Sequence, residues 1–178
     1  TRVRIILAGV AAFLAAFLPA AAGPALLTEP STGLVLYAED ADAPWRPASL
    51  TKLMTAYLTF EAIRDGQLSP EDVVTSTMLS QSQPPSKLGM PLGAQLTVDL
   101  AVKALIVKSA NDVAIMLAEK IGGAVEGFVE MMNKTAMRLG MTNTHFVNPN
   151  GLPVFYPDGN TEAPEQAAAD QDHEAKHD

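Results

Sequence analysis

Cysteine is absent from the 178-residue chain, so no disulfide framework, Cys-ligated zinc site or thiol nucleophile can form. Basic residues are few: 12 Lys and Arg face 20 Asp and Glu, a formal net charge of −8. No basic patch exists to meet phosphates, which excludes nucleic acid as a partner. The chain has no internal repeat and no apolar run reaching the ~20 residues of a membrane-spanning helix. Aromatics make up only 6%, with Trp45 the single tryptophan. What is there is a hydrophobic content of 48%, that of a globular protein, in a length that suits one domain with its own core.

The two ends differ from the middle. Arg2 and Arg4 precede an apolar run from Ile5 to Leu18, and Ala20-Ala21-Ala22 follows Pro19. A positive start, a short apolar stretch and small residues are the pattern of a cleaved export signal, predicted over residues 1–22. The run is too short for a spanning anchor, so an exported protein of the periplasm or cell envelope is expected. Losing Arg2 and Arg4 would take the charge from −8 to −10. From residue 157 to 178 no apolar side chain larger than alanine occurs, and acidic residues dominate. Such a segment cannot offset its ordering entropy by burial, which predicts a disordered acidic tail. Residues 23–156 remain as the structured part.

Ala25–Leu27 and Leu34–Tyr37 are short apolar stretches separated by Glu29-Pro30-Ser31-Thr32-Gly33, which predicts a β-hairpin. Ser49 to Ile63 carries Leu50, Leu53, Met54, Tyr57, Leu58 and Ile63 at helical steps, and predicts a central helix buried on several sides. Gln67 to Gly93 is turn-rich and reads as a loop region with small local elements. Three helices follow. The first runs from Val98 to Val107 behind a Thr97 cap, the second from Asn111 to Ile121, and the third from Val125 to Leu139. Their expected packing stripes are Leu100, Ala104 and Val107; Val113, Leu117 and Ile121; and Phe128, Met132 and Leu139. The methionines read as core filling.

Two short motifs carry chemistry. Ser49-Leu50-Thr51-Lys52 opens the first long helix. Residues three apart share a helix face, so Lys52 can reach the Ser49 hydroxyl. A serine hydroxyl is a weak nucleophile until a base takes its proton, and burial of a lysine favours the neutral amine that can do so. The N–H groups of a helix start could stabilise an oxyanion. Ser109-Ala110-Asn111 lies 60 residues on, between two predicted helices, where a hydroxyl and an amide can project into one cleft. There the serine could relay a proton, and the asparagine could hold a substrate carbonyl and the lysine. Taken singly, the first motif reads rather as a capping serine beside a surface lysine, and the second as an N-cap.

Taken with their flanks, these segments resemble the serine D-alanyl-D-alanine carboxypeptidases, the S11 peptidase family of low-molecular-mass penicillin-binding proteins. The resemblance rests on Pro47-Ala48-Ser49-Leu50-Thr51-Lys52-Leu53-Met54-Thr55 and on Leu105-Ile106-Val107-Lys108-Ser109-Ala110-Asn111-Asp112. It is extended by Gln83-Pro84-Pro85-Ser86, Leu139-Gly140-Met141 and Asn148-Pro149-Asn150-Gly151-Leu152-Pro153, the last with an uncommon residue at Asn150. It implies an α+β, transpeptidase-like fold, with helices packed on an antiparallel sheet. It also implies acyl transfer in which Ser49 attacks a peptidoglycan stem peptide ending in D-Ala-D-Ala. Lys52 would be the base, Ser109 a proton relay and Asn111 a positioning group. No metal or cofactor is required, and β-lactams would acylate the same serine.

The family's third motif, K-T-G, is missing, along with the later sheet strands, which reads as a chain cut short before that motif. The nearest imitation, Lys134-Thr135-Ala136, falls within a predicted helix and reads as its surface. Two alternatives to an active carboxypeptidase therefore stand: a non-catalytic, wall-binding remnant, and a β-lactamase using the same motifs. His173 and His177 are four apart, but their acidic, helix-poor surroundings read as solvated rather than metal-binding. His145 reads as structural, and Glu39, Asp40 and Asp42 as a solvated patch.

Overall fold

The computed structural model describes residues 23–153. The predicted signal (1–22), the acidic tail (157–178), His173 and His177 lie outside the described residues. The chain is α+β, with small two-stranded antiparallel sheets and helices, and divides into two compact units, residues 1–45 and 46–178.

In the first unit, β1 (Ala25–Thr28) pairs antiparallel with β2 (Val35–Glu39), Ala25 opposite Glu39 and Leu27 opposite Tyr37. The predicted turn closes through Glu29 N–H to the Leu34 carbonyl and Gly33 N–H to the Glu29 carbonyl, each 2.8 Å. Gly33 sits at φ 72°, a conformation that costs glycine nothing. Glu39, Asp40 and Asp42 are exposed, as read from the sequence.

The second unit begins with a 3-10 turn, Ala48–Leu50, that runs into α1 (Thr51–Arg64). Within the segment predicted as loop, β3 (Val73–Thr75) leads to a short α2 (Met78–Ser82), and β3 pairs with β4 (Gln95–Thr97). Strands of three residues are too short to show an alternating pattern, so the sequence gives no sign of this sheet. Then come α3 (Val98–Val107), α4 (Asn111–Gly122) and α5 (Val125–Arg138), close to their predicted bounds. Thr97 caps α3 through its hydroxyl, and Gly123 at φ 74° ends α4.

The core corrects several expectations. The central helix is α4, not α1: eight consecutive residues, Asn111 to Ala118, are buried, and α4 packs against α1, α2, α3 and α5. On α1 the polar Thr51, Lys52, Thr55 and Thr59 lie inside with Met54, Ala56, Leu58 and Ala62, while Leu53 and Phe60, and Leu50 just before the helix, are exposed. This inversion holds because the inward polar groups are satisfied: Thr55 donates to the Pro149 carbonyl (2.7 Å) and Thr59 to the Thr55 carbonyl (2.8 Å). On α3 the buried stripe is Val98, Ala101, Val102 and Leu105, and Leu100 and Val107 face out. Eight of its ten residues are apolar, so periodicity could not fix which face turns inward. Val113, Leu117, Phe128 and Met132 are buried as expected. Leu139 falls beyond the end of α5 and is exposed, and Ala136 takes its place in the core. Met54, Met116 and Met132 fill the core, but Met78 and Met137 do not.

Candidate active site

The 3-10 turn before α1 presents Ser49 to solvent and sends Lys52 inward, one turn further on. That turn is held from behind by the loop Asn148–Leu152. Gly151 is at φ 77°, and a Cβ there would lie 1.8 Å from the Ala48 carbonyl oxygen and 2.8 Å from Thr51 Oγ1. Glycine is required on both counts: left-handed backbone and contact with no room for a side chain. The loop is fixed from within by Asn148, whose Oδ1 accepts from Gly151 N–H (2.6 Å) and whose Nδ2 donates to the Leu152 carbonyl (2.7 Å). Asn133 of α5 anchors its approach, donating to the Phe146 carbonyl and accepting from Phe146 N–H, each at 2.8 Å.

Lys52 is 3% exposed. Its Nζ donates to the Asn150 carbonyl at 2.8 Å and to Ser49 Oγ at 3.2 Å. No carboxylate is among its partners, and burial alone holds its pKa below the ordinary lysine value. Burial thus disfavours the charged form of an amine that lies within hydrogen-bond reach of a hydroxyl.

Ser109 stands at the corner between α3 and α4 and donates from its hydroxyl to Ser49 Oγ at 3.1 Å. Its backbone is left-handed, φ 56°, a conformation that costs a non-glycine residue about 1–3 kcal/mol. The corner is pinned by Ser86, whose hydroxyl donates to the Lys108 carbonyl (2.7 Å) and whose carbonyl accepts from Asn111 N–H (2.8 Å). Asp112, buried beside it, accepts from Leu88, Gly89 and Val113 N–H groups at 2.9–3.0 Å. The N-cap of α4 is Ala110, so neither Ser109 nor Asn111 is a capping side chain.

Ser49, Lys52 and Ser109 thus come together. Asn111 is buried close by in sequence, but its Nδ2 donates to the Pro84 carbonyl (3.0 Å), and the contact with the lysine expected of it is made by the Asn150 carbonyl instead. The three grouped side chains open onto a cleft of about 330 Å³, whose apolar wall includes Leu53, Leu105 and Ile106. Lys134-Thr135-Ala136 lies on α5 with Lys134 exposed and Thr135 and Ala136 buried, so it is only in part the helix surface expected. His145 is exposed. Among the described residues no three His, Asp or Glu side chains gather at metal-binding spacing, and no helix is long and apolar enough to cross a membrane. Sequence reasoning missed the parts played by Asn150 and Gly151. The run Asn-Pro-Asn-Gly marks a turn, but nothing in a sequence tells which side chain a turn's carbonyl will meet.

Comparison with known proteins identifies the family. The profile of the D-alanyl-D-alanine carboxypeptidase family, Peptidase S11, matches residues 12–156. The D-alanyl-D-alanine carboxypeptidase DacF of Bacillus subtilis is 39% identical over 128 residues, covering 72% of this chain and 33% of the relative. The crystal structure of the carboxypeptidase DacD from Francisella tularensis superposes with a TM-score of 0.72 at 37% identity, over 77% of this chain and 33% of that one. Penicillin-binding protein D2 of Listeria monocytogenes, solved in an ampicillin-bound form, superposes with a TM-score of 0.61 at 30% identity, over 77% of this chain and 55% of that one. The chain spans about a third of the length of the curated relatives it matches. Across that span, with a serine, a buried lysine and a second serine hydrogen-bonded at the mouth of one cleft, the chain belongs to the D-alanyl-D-alanine carboxypeptidase family.

Proposed function

We propose that this chain carries the acylation centre of a serine D,D-carboxypeptidase that trims the terminal D-alanine from peptidoglycan stem peptides. The observation that carries the reading is Lys52 Nζ, buried without a counter-charge and 3.2 Å from Ser49 Oγ. Neutral Lys52 takes the Ser49 proton as Oγ bonds to the carbonyl carbon of the penultimate D-alanine. The tetrahedral intermediate collapses, the C–N bond breaks, and the proton passes from Lys52 by way of the Ser109 hydroxyl to the departing amine. Water then attacks the ester with Lys52 again as base, freeing the shortened peptide and restoring Ser49. Asn111 acts on substrate position only indirectly, by tying the Ser109 corner to Pro84 and Ser86, and Leu53, Leu105 and Ile106 offer an apolar wall to the alanine methyl groups. No metal or cofactor takes part. A β-lactam acylates Ser49 by the same attack, with its ring amide in place of the peptide bond. A peptidoglycan substrate implies the cell envelope, reached through a 1–22 export signal, with residues 23–156 as part of the catalytic domain.

The alternative reading is a wall-binding chain without turnover. Labelling with a fluorescent penicillin separates the two. Covalent labelling that Ser49→Ala abolishes supports the acylation centre; a folded wild-type chain that takes no label supports the remnant. Fast penicillin hydrolysis with no cleavage of a D-Ala-D-Ala peptide would make it a β-lactamase.

A further inference from the structure

Asn150 is 3% exposed, and each of its polar groups is engaged. Its carbonyl accepts from Lys52 Nζ (2.8 Å), its Oδ1 from Leu152 N–H (3.1 Å), and its N–H donates to Asn148 Oδ1 (3.2 Å). Its Nδ2 donates to Gln83 Oε1 at 2.9 Å, joining segments 67 residues apart. Gln83 is itself held: its Nε2 donates to the Leu79 carbonyl (3.1 Å), and its backbone closes α2. At the other end of α2, the Thr77 hydroxyl donates to Glu119 of α4 at 3.0 Å. A continuous line of hydrogen bonds and one short helix therefore connects the central helix to the carbonyl that Lys52 touches. The next residues of the same strap, Pro84 and Ser86, hold Asn111 and the Ser109 corner.

We infer that the Gln83–Asn150 amide pair is a latch that keeps the Asn150 carbonyl over Lys52 and closes the base off from water, making Gln83 and Asn150 positioning residues for Lys52. This rests on reading Lys52 as the base. The groups facing the amine are Ser49 from its own element, Ser109 from the α3–α4 corner and Asn150 from the loop, all uncharged, and the lining of the cleft holds no second ionisable side chain. Exclusion of water is then what holds the amine's pKa below the ordinary lysine value. Opening the latch admits water and returns Lys52 towards ordinary lysine behaviour.

The test is titration of the Lys52 Cε signal by NMR in ¹³C-lysine-labelled full chain, assigned with Lys52→Arg, beside the rate of fluorescent-penicillin acylation across pH. Gln83→Ala removes the latch and leaves the bonds inside the loop intact; Asn150→Ala removes it along with the Leu152 bond. Both variants are expected to raise the Lys52 pKa by about one unit, to slow acylation about tenfold at neutral pH, and to close that deficit at high pH. An unmoved Lys52 titration in folded Gln83→Ala overturns the latch. So does an acylation deficit equal at every pH, which would mark a merely structural contact. A wild-type chain that takes no penicillin counts against the proposed function, while the NMR titration still decides the latch.

Discussion

Lys52 owes its chemistry to where its amine ends: behind a carbonyl, away from any acid, and against a serine. Its folded-state pKa is lowered by burial, so between that value and the ordinary lysine value the unfolded chain binds more protons than the folded one. Stability contributed by this group therefore rises with pH across that window and is lost as pH falls through the folded pKa. Lys52→Met should melt higher than wild type at neutral pH, with the advantage shrinking as pH approaches the ordinary lysine value; parallel thermal melts would show it. The same variant should acylate at least about 100-fold more slowly, the scale of a lost general base. In the wild type, acylation should climb with pH through the Lys52 pKa and then level off. Gly151→Ala is expected to cost about 1–3 kcal/mol for the left-handed backbone alone. It should also shift the Ser49 turn, because the added methyl would meet the Ala48 carbonyl. Denaturant titration and penicillin labelling of that variant should both fall.

Among the elements, α4 matters most to stability and α3 is the most instructive. Leu105 and Val107 are two residues apart on one apolar helix, yet one is 1% exposed and the other 87%. Leu105→Ala should destabilise by about 2–5 kcal/mol, as a cavity in a packed core does. Val107→Ala should stay within about 0.5 kcal/mol. Equal effects in urea titrations would contradict the placement of the helix. The polar inner face of α1 follows the same logic in reverse: Thr55 and Lys52 are inside because the Asn148–Leu152 loop supplies carbonyls to meet them. That loop and the 83–86 strap meet at the Gln83–Asn150 bond, so short irregular segments, and not helices alone, set the surroundings of Lys52.

At the scale of the molecule, Leu53 and Phe60 on α1, Leu50 just before it, and Leu100, Ile106 and Val107 on α3 turn large apolar side chains to solvent, a face that favours association. Self-association that rises with concentration and is not reversed by salt is expected in sedimentation velocity, and Phe60→Ser should reduce it. A salt-sensitive association untouched by Phe60→Ser would point to charge instead. The net charge of −8 favours solubility but does not cover this face.

The sequence alone carried the hairpin, the bounds of α3 to α5, and the two motifs that bring Ser49, Lys52 and Ser109 into one cleft. These are local signals: a turn cluster, caps and glycine stops, and residues three apart on a helix. It was silent on the β3–β4 pair and misplaced the buried face of α3, because three-residue strands and an almost wholly apolar helix hold no readable period. Only the tertiary structure decided that α4 is central, that Asn111 turns to Pro84, and that the carbonyl of Asn150 meets Lys52. Each of those depends on a contact between segments dozens of residues apart, and which carbonyl a buried amine meets is fixed by how loops fold back on helices, not by the residue types themselves.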